Sequence, residues 1–479
     1  MQFSTTTTPG LPSLGLSEDE RAKIWELGQV ALASRADMLL TEAYYLGEQV
    51  VKNLRIAVPA ELEFLKAAMG WPAKAVDPYV SRLSADCFRV PTATDGDQDI
   101  ADIMAANGFA AEQSLAFNDA LVLGRSYWSV GSPVEKGGPP QVTVESPLNT
   151  SVLWDLRGLN PRAALQQYYS EGRHHGVLLL PRKTVHLATN DAGQWEVADR
   201  DEHGFDFVPI VRMAHQARTK DRDGRSAISP ALKYLTDAAC RTLLGLEVAR
   251  EIYSVPQKVI LGAAEDAFVK SDGTAASAWD TYITKTLGLE RDENGDLPEI
   301  KQMQPYDPSV FTKLLDYYAA TAAGEVLSPP QDMGLYTQGN PASADSVVAM
   351  NSERDLNAIR MQKQFGVPLA RVAQYALRFE NKGQLPKGYE TLAVDWDPVS
   401  LPNPGVTSDA VSKEISAEAV PATSDVVLKR LGYSQVERVR LAQDRKRQDG
   451  RQAARDIAAA VIPPAPQPGA TDGNPAAGL

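Results

Sequence analysis

A run of helical periodicity between residues 344 and 379 constrains the fold more than any other feature of this sequence. Apolar residues recur there at spacings of three and four, from Val347 to Phe379. At 1.5 Å per residue this helix would be roughly 54 Å long, far beyond an ordinary globular helix. Pro368 lies inside the pattern, and we expect it to kink the helix rather than end it.

A shorter helix and a loop precede the long helix. Asp307-Pro308 is a typical helix start, and apolar positions then recur at helical spacing as far as Leu327. Ser328-Pro329-Pro330 ends that pattern. The segment from Gln331 to Ala342 holds two glycines, an asparagine and a proline, which is typical of a mobile loop rather than a core element.

Composition excludes several classes of protein. A chain of 479 residues predicts two to four domains and buries a large core without difficulty. Its net charge of −13 argues against a broad grip on nucleic acid, which needs clustered basic residues. Cys87 and Cys240 are the only cysteines, too few for a disulfide framework. The start MQFSTTTTPG does not resemble a signal peptide, and no aliphatic run spans a bilayer, so we expect folding in a cytoplasm and no membrane partner.

The first half of the chain predicts helices followed by short strands. Residues 1–16 resemble a flexible arm, and Ser17-Glu18-Asp19-Glu20 is a capping box that opens a long helix through Trp25 and Leu39 to about Val50. Further helices are predicted at 77–85 and 99–123. Short β segments separated by turn residues follow between 126 and 211, and they predict a mixed or antiparallel subdomain in a predominantly helical α+β protein.

A second long helix is predicted from Ser229 to residue 254. One face carries an apolar stripe, and the opposite face carries three bases and three acids: Lys233, Asp237, Arg241, Glu247, Arg250 and Glu251. The insert that follows, residues 256–306, holds nine acidic and five basic residues and is therefore acidic by four charges. Asn294-Gly295 predicts a hairpin turn within it.

The C-terminal region predicts a strand at 389–396, a linker at 401–405 and two or three further helices. The last helix opens with a capping box at Ser434 and carries seven basic residues between Arg438 and Arg455. Acidic residues interleave with them, which favours a solvated, salt-bridged helix over a nucleic-acid contact. The tail from Pro463 is rich in Pro, Ala and Gly and is expected to be disordered.

The search for catalytic signatures finds none. The sequence lacks a phosphate-binding loop, a dinucleotide fingerprint, a nucleophile elbow and a zinc-protease motif. The run from Asp292 to Asp296 resembles a calcium loop, but Leu297 stands where glycine is needed, so a hairpin turn is favoured. We predict no enzyme activity, no catalytic or metal-binding residue and no cofactor.

The order of these parts resembles the portal proteins of tailed bacteriophages, in the long-tailed branch, from about Ser17 to Arg455. The similarity is spread over short segments at 126–130, 145–155, 208–211 and 224–228, and at 340–347, where small residues open the long helix. The resemblance implies a portal-type architecture of wing, stem, clip and crown, assembled as a ring.

The resemblance also implies boundaries. The parts would be an N-terminal arm (1–16), a wing (17–226), a first stem helix (227–255), a clip (256–306), a second stem helix (307–327), a tunnel loop (328–342), a long kinked wing helix with a strand (343–400), crown helices (401–462) and a disordered tail (463–479). The tunnel loop would present residues to DNA: Gln331, Asp332, Leu335, Tyr336, Thr337, Gln338 and Asn340. The clip would dock partners through Glu290, Asp292, Glu293, Asn294, Asp296 and Glu299.

The implied function is a ring of about twelve copies at one capsid vertex, assembled in the host cytoplasm and retained in the virion. Its implied partners are the terminase large subunit, head-completion or adaptor proteins, major capsid and scaffold proteins, and double-stranded DNA passing without sequence readout. Two alternatives remain open at this point: a cytosolic multidomain enzyme with an unrecognised cleft, and a self-associating scaffold without a channel.

Overall fold

The structure, a computed structural model, describes residues 15–50, 67–91, 96–133, 135, 137–253, 258–261, 299–302, 307–335, 344–400 and 404–461. The chain divides into two compact units, Met1–Val399 and Ser400–Leu479.

The first unit begins with helices. They are α1 (Glu18–Leu46), α2 (Trp71–Lys74), α3 (Asp77–Val80), α4 (Gln98–Ala106) and α5 (Phe109–Leu123). The predicted capping box is confirmed, because the Ser17 side chain accepts from the Glu20 backbone and Glu20 accepts in return from the Ser17 backbone N–H. Gly47, in the left-handed conformation, ends α1 a few residues before the predicted end.

Two of the predicted helices are wrong in extent. The helix expected at 77–85 ends at Val80, and the last residue predicted for it, Ala85, is the first residue of strand β1 (Ala85–Arg89). The helix expected at 99–123 is two helices, α4 and α5, separated at Asn107 and Gly108. Gly108 has φ +64°, which is outside the helical region. The Asn107 amide donates to Ile103 and Pro140 carbonyls and so ties this break to the strand region.

The predicted β subdomain is present, and all of its strand pairs are antiparallel. The strands are β2 (Arg125–Gly131), β3 (Gln141–Glu145), β4 (Thr150–Trp154), β5 (Pro161–Ser170), β6 (Arg173–Leu180), β7 (Lys183–Thr189), β8 (Trp195–Asp201) and β9 (Ile210–Ala214). Strands β4 to β8 form a five-stranded meander, and β2 is the central strand of a second sheet with order β3-β2-β9.

The remaining elements of the first unit include its longest helix. They are α6 (Pro230–Tyr253), β10 (Lys258–Leu261), β11 (Glu299–Gln302), α7 (Ser309–Val326), a 3₁₀ turn (Pro330–Met333), α8 (Ala344–Glu380), a second 3₁₀ turn (Tyr389–Thr391) and β12 (Ala393–Trp396). Helix α8 runs for 37 residues through Pro368, so the expectation that this proline does not end the helix is confirmed. The strand predicted at 389–396 is confirmed only for its second half.

The main core is built around the second half of α8. Phe365 is fully buried and stacks on Phe117 of α5, with ring centroids 5.6 Å apart. Trp396 of β12 also contacts Phe117, with ring centroids 5.8 Å apart. Leu369 and Val372 continue the buried face of α8 towards its end. Helix α8 thus packs against both α5 and strand β12.

A buried carboxylate joins α1 to the five-stranded sheet. The Glu20 side chain is 1% exposed and forms ion pairs with Lys183 of β7 (2.6 Å) and Arg200 of β8 (2.7 Å). The hydrogen bond from Arg200, followed by that from Lys183, holds the pKa of Glu20 well below its usual range. Ile24 and Leu27, one and two turns later, pack on the same sheet. The charged contact therefore sets the position of the start of α1.

The second unit consists of α9 (Pro404–Ser416), α10 (Asp425–Arg430) and α11 (Gln435–Val461). The predicted linker at 401–405 is wrong at its end, because Pro404 is the first residue of α9, a position that proline tolerates well. The capping box at Ser434 and Glu437 is confirmed. Arg438 is buried and pairs with Asp425 at 2.7 Å.

Changing Glu20 to Gln should lower the free energy of unfolding at pH 7 by about 1–3 kcal/mol, the usual loss for hydrogen bonds to a charged group. Because the folded-state pKa is depressed, this stabilisation is present above the unfolded pKa of about 4.3 and is lost as the pH falls towards the folded value. Urea unfolding of the wild type and of Glu20→Gln between pH 7 and pH 3 measures this difference in the free energy of unfolding. The exposed Glu18→Gln is the control, and equal stability of Glu20→Gln and wild type at pH 7 would contradict the assignment.

Candidate functional site

Helices α6 and α7 form a close antiparallel pair. Near the start of α6, the Ser229 hydroxyl donates to Glu325 at the end of α7, at 2.7 Å. Further along α6, a Cβ added to Gly245 would lie 3.2 Å from the ring of Phe311, at the start of α7. Glycine therefore allows the two helices to approach at this point. These contacts at both ends establish the antiparallel direction.

Helix α7 has one buried and one exposed apolar face. The Asp307 carboxylate accepts a hydrogen bond from the Ser309 backbone N–H at 2.9 Å, and the helix begins at Ser309, one residue later than predicted, with Pro308 as its N-cap. Ala319, Ala322 and Ala323 are buried and let neighbouring elements approach closely. The opposite side leaves three large side chains exposed in the single subunit: Val310, Leu314 and Tyr317.

The polar face predicted for α6 is packed against α1 at Lys233 and Asp237. Lys233 donates to Thr41 of α1 at 2.6 Å, and burial lowers the pKa of this lysine. Asp237 accepts from the Tyr44 hydroxyl at 2.9 Å. Burial, and next this hydrogen bond, raise the pKa of Tyr44 to about 12. These contacts form because α1 crosses this face of α6, which helical periodicity alone does not reveal.

The rest of that polar face is more open. Glu247 and Arg250 form an ion pair at 2.9 Å, with both side chains substantially exposed. Arg241 is half-buried. The side chain of Glu251 lies outside the described residues. Of the six charged residues predicted for one face of α6, Lys233 and Asp237 thus contact α1, and the Glu247–Arg250 pair remains at the surface.

The first half of the predicted loop is packed against the body of the subunit. Pro330–Met333 forms a 3₁₀ turn, Met333 is buried, and Leu335 packs on the main core. Gln331 and Asp332 are half-buried. The expectation of a mobile loop at Gln331 to Ala342 is therefore wrong for residues 331–335, because Met333 and Leu335 supply apolar anchors that the glycine and proline content obscures.

A buried arginine fastens this turn to the long helix. Arg354 of α8 is 6% exposed and pairs with Asp332, which also accepts from the Ser328 hydroxyl at 2.7 Å. The Arg354 guanidinium also donates to Asn351. Tyr79 of α3 donates to the Val326 carbonyl at 3.0 Å, at the end of α7. The end of α7, the turn and the start of α8 are thereby joined at one point.

Sequence reasoning missed Arg354, although a signal was present. The residue lies four positions before Ala358, seven before Met361 and eleven before Phe365, all of which are buried on the same face of α8. An arginine on the buried face of a helix needs a charged partner, and Asp332 is the acidic residue of the preceding loop.

Several predicted site residues belong to segments outside the described part of the chain. Tyr336, Thr337, Gln338 and Asn340 lie outside the described residues, as do Glu290, Asp292, Glu293, Asn294 and Asp296. Glu299 is the first residue of β11, which pairs antiparallel with β10 so that Leu261 lies opposite Glu299. The predicted turn at Asn294-Gly295 also lies outside the described part of the chain.

Within the described residues, no cluster of His, Cys, Asp or Glu has the arrangement of a metal site. Among those same residues, no helix combines the length and apolar character required to cross a bilayer.

Comparisons with known proteins give one consistent family. A family model described as "Phage portal protein, SPP1 Gp6-like" matches residues 32–446. The portal protein of Mycobacterium phage D29 is 28% identical over 421 residues, which cover 86% of this chain and 85% of the relative. The portal protein of Mycobacterium phage L5 is 27% identical over 415 residues, which cover 85% of this chain and 84% of the relative.

Solved structures from gene transfer agent particles are more distant. One chain from the virion of a native particle has 15% identity and a TM-score of 0.45, covering 84% of this chain and 99% of its own length. A chain from the neck of a native particle, computed with C12 symmetry, has 16% identity and a TM-score of 0.44, with the same coverage.

Changing Arg354 to Met should release the turn at 328–335 from α8 while leaving the rest of the fold intact. We expect the free energy of unfolding to fall by about 1–3 kcal/mol, since one charged hydrogen-bond partner is removed and Asp332 can still reach water. The decisive measurement is amide hydrogen exchange, which should accelerate at residues 328–335 and not in the five-stranded sheet. Arg157→Met, on an exposed turn, is the matched control. Unchanged exchange at 328–335 would show that Met333 and Leu335 hold the turn alone.

Proposed function

This chain belongs to the SPP1 Gp6-like family of phage portal proteins, and on that basis we propose that about twelve copies form a ring through which double-stranded DNA enters and leaves the phage head. As a portal protein it is a structural component of the virion's head-to-tail connection and not an enzyme. The observation that carries the proposal is the family match, which extends over residues 32–446.

The exposed apolar surfaces of the subunit support ring formation. Helix α7 leaves Val310, Leu314 and Tyr317 exposed, and α8 leaves Leu356 and Val367 exposed. Monomeric soluble proteins rarely expose several such faces at once. The faces lie on different helices, and contacts between unlike surfaces of neighbouring copies would cover them and close a ring.

The paired helices α6 and α7 are proposed as the stem. DNA must slide along a channel, so its wall should not bind phosphate tightly, since each neutralised phosphate adds to the affinity. The charges of α6 suit this requirement: Lys233 is turned towards α1, and Arg250 is neutralised by Glu247. The acidic insert 256–306 would repel DNA wherever its side chains face inward.

The segment after Leu335 is proposed to contact DNA. Because Asp332 is engaged by Arg354 and Leu335 packs on the core, contacts would fall to Tyr336, Thr337, Gln338 and Asn340. None of these side chains is charged, so contact would be steric and polar, without sequence readout.

The insert 256–306 is proposed as the clip. Its acidic residues, Glu290 to Glu299, would dock the terminase large subunit during packaging and head-completion or adaptor proteins afterwards. Capsid and scaffold proteins would contact the outer surface during assembly in the host cytoplasm.

Native mass measurement tests the ring. Purified protein at micromolar concentration should contain a species of about twelve chains, because the exposed apolar helix faces favour association at low salt and high salt alike. Negative-stain images should show rings with a central hole. Monomers or dimers alone, in both measurements, would overturn the ring and favour a different role for the family fold in this chain.

A label at Thr337 tests the channel. In a Cys87→Ser background, Thr337→Cys carrying a bulky maleimide should still assemble but should block DNA packaging, because the adduct narrows the path of the duplex. Ala192→Cys, on the exposed turn between β7 and β8, is the matched control and should package normally when labelled. Normal packaging with complete labelling at residue 337 would place that residue outside the channel.

A further inference from the structure

Helix α1 carries a second apolar seam that the single subunit leaves uncovered. Its positions follow spacings of three and four without interruption: Ala22, Trp25, Gln29, Leu32, Ala36, Leu39, Ala43 and Leu46. The four large members are exposed, Trp25 by 55%, Leu32 by 53%, Leu39 by 40% and Leu46 by 57%. The other face of the helix, through Ile24, Leu27 and Met38, is buried against the subunit.

The spacing of this seam indicates what covers it. A strict alternation of three and four residues is the pattern by which one helix packs on another, because it keeps the same stripe facing a partner helix. Three alanines and Gln29 alternate with the large residues along the seam, and the alanines leave space into which side chains of the partner can insert. The occupant is therefore expected to be a helix with an exposed apolar stripe of its own.

Helix α8 offers such a stripe on a second copy of the chain. Leu356, Ile359 and Val367 are exposed on one side of α8. Ile359 and Val367 also line a groove of about 560 Å³ between α8 and the segment from Glu390 to Trp396. A groove beside an exposed helix face is a suitable receptor for an apolar helix.

The charges beside the two surfaces are complementary. The exposed charged positions around the α1 seam are mainly acidic, with Glu18, Glu26 and Asp37 against Arg21, whereas Glu42 is half-buried and Arg35 is already bonded to the Leu148 carbonyl. The exposed charged positions around the α8 stripe are mainly basic, with Arg360, Lys363 and Arg371 against Glu353. Complementary rims favour pairing of the two unlike helices over pairing of two copies of α1.

The seam is large enough to matter and too small to act alone. Its 25 residues extend over roughly 36 Å, and a helix width of about 10 Å gives on the order of 360 Å² of covered surface. That is about half of the ~800 Å² that each partner contributes to a standard stable interface. It would therefore add to other contacts between neighbouring copies in a ring.

We propose that the α1 seam of each subunit packs into the α8 groove of the next copy. This inference rests on the proposed ring and specifies one of its contacts. Because the two surfaces differ, every subunit gives its α1 to one neighbour and receives α1 from the other, which is a heterologous contact.

Cysteine cross-linking of the full-length protein tests the pairing. Leu32→Cys is combined in turn with Ile359→Cys, Lys363→Cys or Val367→Cys, which sample about two turns of α8. After mild oxidation, at least one combination should give a non-reducing gel ladder extending beyond the dimer towards the full ring. The wild type, with half-buried Cys87 and buried Cys240, and the single variant Leu32→Cys should give no ladder.

The outcomes separate this inference from the ring itself. A ring by native mass with no ladder from any combination would overturn the α1–α8 contact and leave the ring intact, and α1 would then be covered by a different protein of the head. A dimer band from Leu32→Cys alone would mean that two α1 helices pair, which also overturns it. Absence of any ring in the wild type would instead overturn the proposed function.

A second variant tests the seam without oxidation. Leu32→Arg combined with Leu39→Arg should raise the concentration needed for ring formation at least tenfold while leaving the circular dichroism spectrum unchanged. The matched control is Leu156→Arg combined with Tyr169→Arg, which changes charge equally at exposed apolar residues of the β subdomain. An equal effect of both pairs would show that added charge, and not the seam, weakens assembly.

Discussion

Burial of the second half of α8 is the constraint on which the rest of the subunit depends. Phe365, Leu369, Val372 and Ala376 are covered on one face by α5, β2, β9 and β12, so that a single helix holds together layers that are far apart in the sequence. Pro368 is accommodated within this helix, where burial of the neighbouring residues Phe365 and Leu369 offsets the lost backbone hydrogen bond. Nearer the start of α8, the ion pair between Arg354 and Asp332 fastens the helix to the turn that precedes it.

The same constraint explains why apolar surface remains exposed. A helix of 37 residues extends beyond any core that one chain of this size builds around it, so part of its length must face either water or another molecule. Helices α1 and α7 are in the same position, each with one buried and one exposed apolar stripe. A subunit with three such helices is incomplete as a monomer in a physical sense, which agrees with a family whose members are assembly proteins.

Local signals in the sequence predicted much of this fold, and tertiary contacts account for the errors. Capping boxes at Ser17 and Ser434, the antiparallel strands and the helices α6, α7 and α8 follow from periodicity and end chemistry. The break at Gly108 was missed because the apolar pattern continues through it. The contacts of Lys233 and Asp237 with α1 were not predicted, because nothing in the sequence of α6 shows that α1 crosses its polar face. For α1, the two apolar stripes overlap in sequence, so residues of the buried face and of the exposed face were assigned to a single apolar pattern.

The way α1 is held has a consequence for what its exposed face can do. At its start, Glu20 binds Lys183 and Arg200 of the sheet, and near its end Thr41 and Tyr44 bond to Lys233 and Asp237 of α6. Directional contacts at both ends fix the rotation of the helix about its own axis, which apolar packing alone would leave adjustable. With the rotation fixed, the exposed seam points in one direction in every copy. A closed ring requires the same geometry at each interface, so a helix that is anchored in this way is suited to form one of them.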